Sequence, residues 1–102
     1  MADYIADVRK YDAGASEEVV AKIVKHLGIA LRNRDSSLVS ATDPKEMDRV
    51  RDSWCVKKLG VDSAAGEAAC ANVARTMAGD RTKERVTFYY LVAKELGKLG
   101  SL

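Results

Sequence analysis

Apolar side chains in the first third of the chain recur every three or four residues, which is the spacing of one helix face. They are Val20, Val24, Leu27 and Leu31. Ser16 precedes this run and supplies a hydroxyl that can cap a helix, and two acids follow it near the positive end of the helix dipole. We therefore predict a helix from Glu17 to about Arg32.

Gly28 interrupts this predicted helix and has two interpretations. It either ends the helix early or allows another backbone to approach closely. The apolar phase continues through Ala30 and Leu31, which favours the close approach. A shorter helix with Tyr4 and Val8 on one face is predicted before this one, with Asp3 as its cap.

The clearest helix start in the chain is the segment TDPKEM. Asp43 can cap the helix, Pro44 suits its first position, and Glu46 is placed to reach back to the cap. This helix carries Val50 and Trp54 on an apolar seam and should end near Leu59. Leu38 and Val39, which precede it, are expected in a turn or a short helical piece.

A further helix is predicted to begin at Asp62 or Ser63, with an unusually small inward face. That face comprises Gly66, Cys70, Val73 and Met77. Small side chains let two helices cross closely, so we expect a tight helix crossing on this face.

The most apolar stretch, RVTFYYLVAKEL at residues 85–96, is compatible with either a strand or a helix. Its length favours a helix, since Gly97 is the only breaker between Thr82 and Leu99. Such a helix is either the hub of the core or half of an interface, and the hub is the favoured interpretation. Tyr90, at the edge of the apolar arc, could face a partner with its hydroxyl in water.

Together these patterns predict an all-α fold in one domain over residues 1–102. The expected architecture is a compact bundle of four to five helices around a central apolar C-terminal helix.

Charge and composition exclude several classes of function. The net charge is only +2, from 17 basic and 15 acidic residues whose signs alternate along the chain, so a nucleic-acid partner is not expected. No apolar run is long enough to span a bilayer, and no secretory signal is recognisable at Met1. We therefore expect a cytoplasmic protein without membrane contact.

Catalytic and metal-binding patterns are not recognisable either. Cys55, Cys70 and His26 cannot form a four-ligand zinc site without a carboxylate. The expected role of both cysteines is that of reduced core thiols. No catalytic residue, metal ligand or cofactor is predicted, and enzymatic activity is not expected.

Two arginine-bearing stretches could form a surface for a phosphate or an acidic partner if the fold joins them. They are RNRDSS, with Arg32 and Arg34, and DRTKER, with Arg81 and Arg85. Unconnected surface charge is the simpler interpretation. The candidate ligand or partner surface therefore comprises Arg32, Arg34, Arg81, Arg85, Tyr90 and Leu91.

Several stretches resemble the DUF2853 family, a small bacterial family of unknown function. They are IVKHLGIALRNRDSSLVS, DRVRDSW, KKLG and RTKERVTFYYLVAKELGKL. The resemblance covers nearly the whole chain. It implies a compact, mostly helical cytosolic protein without an established activity, and it supplies no catalytic motif.

The leading hypothesis is a small protein-interaction module that binds another protein or itself, as a homodimer through its apolar C-terminal helix. The alternative is a weak nucleic-acid or phosphate-ligand binder that uses the surface arginines.

Overall fold

Helices account for most of the fold. The computed structural model describes residues 4–33 and 36–102, which is the part of the chain considered below. Within it the α-helices are α1 (Tyr4–Arg9), α2 (Glu17–Leu27), α3 (Pro44–Arg49), α4 (Ser63–Thr76) and α5 (Arg85–Glu95). The predicted all-α fold is confirmed, while Asp3, the predicted cap of α1, lies outside the described residues.

Shorter elements complete the chain. A π-helical segment (Val50–Lys58) directly continues α3, and 3₁₀ turns follow α2 (Gly28–Arg32) and lie near the C-terminus (Leu99–Ser101). The only sheet in the described ranges is the antiparallel pair β1 (Leu38–Val39) and β2 (Lys83–Glu84). The expectation of a turn or helical piece at Leu38 and Val39 is therefore wrong.

Helix α5 is the hub of the core, as predicted. It packs against α1, α2, α4 and the π-helical segment, and every residue from Arg85 to Ala93 is buried. Burying each large apolar side chain contributes roughly 1.5–3 kcal/mol. A helix that is apolar around most of its circumference is stable in water only under such complete cover.

Two of the predicted helix caps are present and one is not. The Asp43 side chain accepts a hydrogen bond from the Lys45 amide, and Asp62 accepts one from the Ala65 amide. Ser16 precedes α2 but its side chain makes no capping hydrogen bond. Glu46 does not reach back to the cap of α3, because its carboxylate pairs with the buried Arg85.

Gly28 ends α2, so the favoured interpretation of this glycine is wrong. Its φ of 39° lies in the left-handed region, which side chains other than glycine's rarely tolerate. A Cβ at this position would meet nothing within 4 Å, so no backbone approaches closely here. The chain bends at Gly28 and continues as a 3₁₀ turn.

The close crossing occurs instead at Gly66, where the small inward face of α4 meets the π-helical segment. A Cβ at Gly66 would lie 2.7 Å from Cys55 Cβ, far inside normal contact distance. The π-helical character is visible at the segment's end, where the Leu59 amide donates to the Trp54 carbonyl, five residues back, at 2.9 Å. Gly60, with a φ of 72°, follows this end as predicted.

Candidate functional site

Arg85 belongs to the core and not to a surface arginine cluster. Its guanidinium pairs with Glu46 and donates to the backbone carbonyls of Ser36 at 2.7 Å and Leu38 at 3.0 Å. Its ring neighbour is Tyr89, whose centroid lies 5.8 Å away. The prediction that Arg85 offers its charge to a ligand is wrong, because internal acceptors already use it.

The remaining predicted arginines lie apart from that ion pair. Arg32 ends the 3₁₀ turn after α2, Arg81 lies in the loop before β2, and both are exposed. Arg34 lies outside the described residues. The two stretches do approach each other through the β1–β2 pairing, but this contact joins Leu38 and Val39 to Glu84 and Lys83 and uses no arginine guanidinium.

Tyr90 and Leu91 are not available as a partner surface. Their exposed fractions are 3% and 8%, so the expectation of a wet Tyr90 hydroxyl is wrong. That hydroxyl donates to Asp12 Oδ2 at 2.6 Å. Because this bond ties the segment after α1 to α5, Tyr90 contributes to the fold within a single chain.

Three such hydroxyl–carboxylate bonds hold neighbouring segments against each other. Tyr90 donates to Asp12, Tyr11 donates to Asp80, and Thr87 donates to Asp7. Burial, and then the hydrogen bond to Asp80, raises the pKa of Tyr11 to about 12. Burial and the bond to Asp12 raise the pKa of Tyr90 to about 12 as well.

These tyrosines make stability sensitive to alkaline pH. An unfolded tyrosine has a pKa near 10, so the folded state holds these protons more tightly, and the resulting stabilisation is lost as pH rises from about 10 towards about 12. We expect the free energy of unfolding to fall across this range. In Tyr90→Phe the fall should be about 1–2 kcal/mol smaller than in the wild type, after allowance for solvent screening.

Urea denaturation at several alkaline pH values measures this difference. Tyr4→Phe is the matched control, since it removes a tyrosine hydroxyl and keeps all three hydroxyl–carboxylate bonds. Equal pH dependence in Tyr90→Phe and Tyr4→Phe would contradict the assignment.

A groove between α3 and α4 is the best-formed concave site in the described ranges, with a volume of about 420 Å³. This volume is within the range of small-molecule and side-chain binding pockets. Its wall is formed by Ala41, Pro44, Met47, Asp48, Arg51, Glu67, Cys70, Ala71 and Ala74. Most of these side chains are apolar and small, so the groove can accept an apolar group.

The charges around this groove are predominantly acidic. Arg51 pairs with Asp48 at 3.3 Å and with Asp52 at 2.8 Å. Both acids are well exposed, with 62% and 64% of their side-chain surfaces accessible, and Glu67 adds a third carboxylate. Three carboxylates around one guanidinium leave an excess of two negative charges, which favours an occupant with basic flanks.

Cys70 lies at the floor of the groove next to a second thiol, that of Cys55. The thiols hydrogen-bond to each other, and this bond, aided by the positive charge of Arg51, lowers the pKa of Cys70. The same bond, together with burial, raises the pKa of Cys55. The first proton of the pair is therefore released from the groove side.

The comparison with family models is decisive for the identity of the chain. Residues 3–100 match the model described as "Protein of unknown function (DUF2853)". The chain belongs to the DUF2853 family. No curated protein matches it.

The part of this DUF2853 chain that is described contains no group of three or more metal-ligating side chains. None of the helices in that part has the length and apolarity needed to cross a membrane.

Sequence reasoning missed the groove, although one signal pointed towards it. The small face of α4 was recognised as a crossing surface, and Cys70 was placed on it. The wall opposite α4 depends on how α3 packs, and no spacing along the chain encodes that packing.

Proposed function

We propose that this DUF2853 chain is a small interaction module that self-associates, with Ile29 of one copy inserted into the α3–α4 groove of another. The observation that carries the proposal is the pairing of an acid-rimmed apolar groove with a strongly exposed, base-flanked isoleucine. The surface differs from the one expected from sequence, because the apolar residues of α5 are already covered within one chain.

Ile29 is suited to this role by its exposure and its neighbours. Its exposed fraction is 79%, against 38% for Val56, the other large apolar residue described as exposed. It lies in the 3₁₀ turn that Gly28 directs away from α2. Lys25 precedes it by four residues and Arg32 follows it by three, and both are exposed.

Charge complementarity supports the same partner. The basic flanks of Ile29 match the excess of carboxylates from Asp48, Asp52 and Glu67 around the groove. Such pairs at the rim steer approach and fix orientation, while the buried apolar side chain provides most of the affinity. Two reciprocal insertions give a two-fold dimer, whereas insertions that cannot close give an open chain of copies.

Sedimentation over a range of concentrations tests the proposal. The wild type should associate, and Ile29→Asp should weaken association by about 10–100-fold, the equivalent of losing one buried isoleucine. Ala71→Arg should do the same, because it fills the groove with a positive charge on an exposed position of a helix that arginine favours.

Matched controls separate this effect from a general change of surface. Val56→Asp alters the other exposed apolar residue, and Ala68→Arg places the same new charge on an exposed position of α4 that does not line the groove. Both should associate like the wild type. A wild type that stays monomeric throughout, or controls as disruptive as the test variants, would contradict the proposal.

The proposed role is binding without catalysis, in the bacterial cytoplasm, as expected from sequence. A different protein with an apolar residue between basic residues fits the same groove chemistry. Phosphate or nucleic-acid binding through Arg32 and Arg81 stays a prediction, and salt-dependent binding of an oligonucleotide at low salt is its test.

A further inference from the structure

Cys55 and Cys70 meet where the π-helical segment crosses α4. A Cβ on Gly66 would lie 2.7 Å from Cys55 Cβ and 3.4 Å from Cys55 Sγ. Cys55 Sγ is 4.0 Å from the Gly66 carbonyl oxygen, which is the acceptor that helix geometry assigns to the Cys70 amide. Cys55 therefore lies directly over the helical turn that precedes Cys70.

The direction of helical side chains brings the second sulfur to the same place. Side chains on a helix lean towards its N-terminus and cover the turn before their own Cα. Cys70 is four residues after Gly66 on the same face of α4, so its thiol leans over Gly66 towards Cys55. The mutual hydrogen bond of the two thiols agrees with this placement.

The two cysteines differ in their access to small molecules. Cys70 lines the open groove, whereas Cys55 is completely buried behind it. A small solute can therefore reach Cys70 first and Cys55 only through Cys70. The depressed pKa of Cys70 increases the thiolate fraction, which is the reactive form.

We propose that Cys55 and Cys70 form a peroxide-oxidisable pair, in which Cys70 reacts first and Cys55 resolves the product as a disulfide. The Cys70 thiolate attacks one oxygen of hydrogen peroxide, so that an S–O bond forms, the O–O bond breaks and hydroxide leaves to become water. Cys55 then attacks the sulfenic sulfur of Cys70, an S–S bond forms, the S–O bond breaks and a second water leaves. In total, two thiols are oxidised and one peroxide is reduced to two waters.

Intact-mass spectrometry of the folded chain treated with hydrogen peroxide tests this pair. The wild type should lose the mass of two hydrogen atoms, and both thiols should disappear from a thiol count made after unfolding. Reduction with a dithiol reagent should restore both. The experiment is independent of self-association, since dilute protein can be used throughout.

Two single variants assign the roles. In Cys55→Ser the resolving thiol is absent, so Cys70 should gain the mass of oxygen and be trapped by a sulfenic-acid reagent such as dimedone. In Cys70→Ser the buried Cys55 should keep its thiol under the same treatment. Far-ultraviolet circular dichroism establishes that each variant is folded.

Three results would overturn the proposal: a wild type that retains both thiols while folded, one that gains oxygen without forming an internal disulfide, or a Cys70→Ser variant oxidised as fast as the wild type. Each can be read in the wild type or Cys70→Ser, so the proposal remains testable if Cys55→Ser does not fold.

Discussion

Arg85→Ala is expected to lower the free energy of unfolding by about 3–5 kcal/mol, the usual cost of removing one partner from a buried ion pair. Arg85 and Glu46 have side-chain exposures of only 9% and 10%. Without the guanidinium, the Glu46 carboxylate stays buried without its main counter-charge, and the carbonyls of Ser36 and Leu38 lose a charged donor. This is a large fraction of the roughly 5–15 kcal/mol that stabilises an ordinary domain.

Arg49→Ala is the matched control for this change. Arg49 pairs with the same carboxylate, at 3.3 Å, but 69% of its side chain is exposed. An exposed ion pair contributes about 0–1 kcal/mol, so this variant should stay close to the wild type. Urea denaturation of the variants and the wild type measures both values. Similar losses in the two variants would contradict a buried role for Arg85.

Trp54→Ala is expected to lower the free energy of unfolding by about 3–5 kcal/mol, as is usual for a large aromatic residue in a core. Trp54 is fully buried and its ring lies 4.9 Å from that of Tyr89 and 5.1 Å from that of His26. Its indole nitrogen donates to the Tyr89 carbonyl at 3.1 Å. The substitution removes this bond and leaves a cavity between the π-helical segment and α5.

Val56→Ala controls for the change of π-helical propensity in the same segment. Val56 is two residues further along and 38% exposed, so its truncation should cost no more than about 1 kcal/mol. Thermal unfolding followed by circular dichroism compares the two. A small effect of Trp54→Ala would show that the segment does not depend on its contact with α5.

The elements that could be predicted from sequence are those set by local chemistry and by overall apolarity. Asp43 and Asp62 cap their helices because their side chains reach amides only two or three residues away. The central position of α5 follows from its apolar circumference, which requires cover on nearly every side.

The features that could not be predicted depend on partners distant in sequence. Glu46 has the right spacing for a capping box, but the buried Arg85, 39 residues away, competes for its carboxylate. Tyr90 is similarly removed from the surface by Asp12, 78 residues away. The β1–β2 pairing involves only two residues in each strand, too few for an alternating pattern to be recognised.

The candidate site was missed for the same reason. The interpretation of Arg85 as a surface cation rested on its position at the start of a helix, where positive charge is mildly unfavourable. The compensation comes from Glu46 on α3. The groove itself exists because α3 and α4 pack with small residues between them, and its acidic rim combines residues on both sides.

Mixing two variants tests the central claim, insertion of Ile29 into the groove, most directly. Ile29→Asp retains an intact groove, and Ala71→Arg retains an intact isoleucine, so each should be monomeric alone. Sedimentation of their equimolar mixture should reveal a one-to-one complex, because the two remaining halves complete one contact. A mixture that stays monomeric at concentrations where the wild type associates would contradict the account.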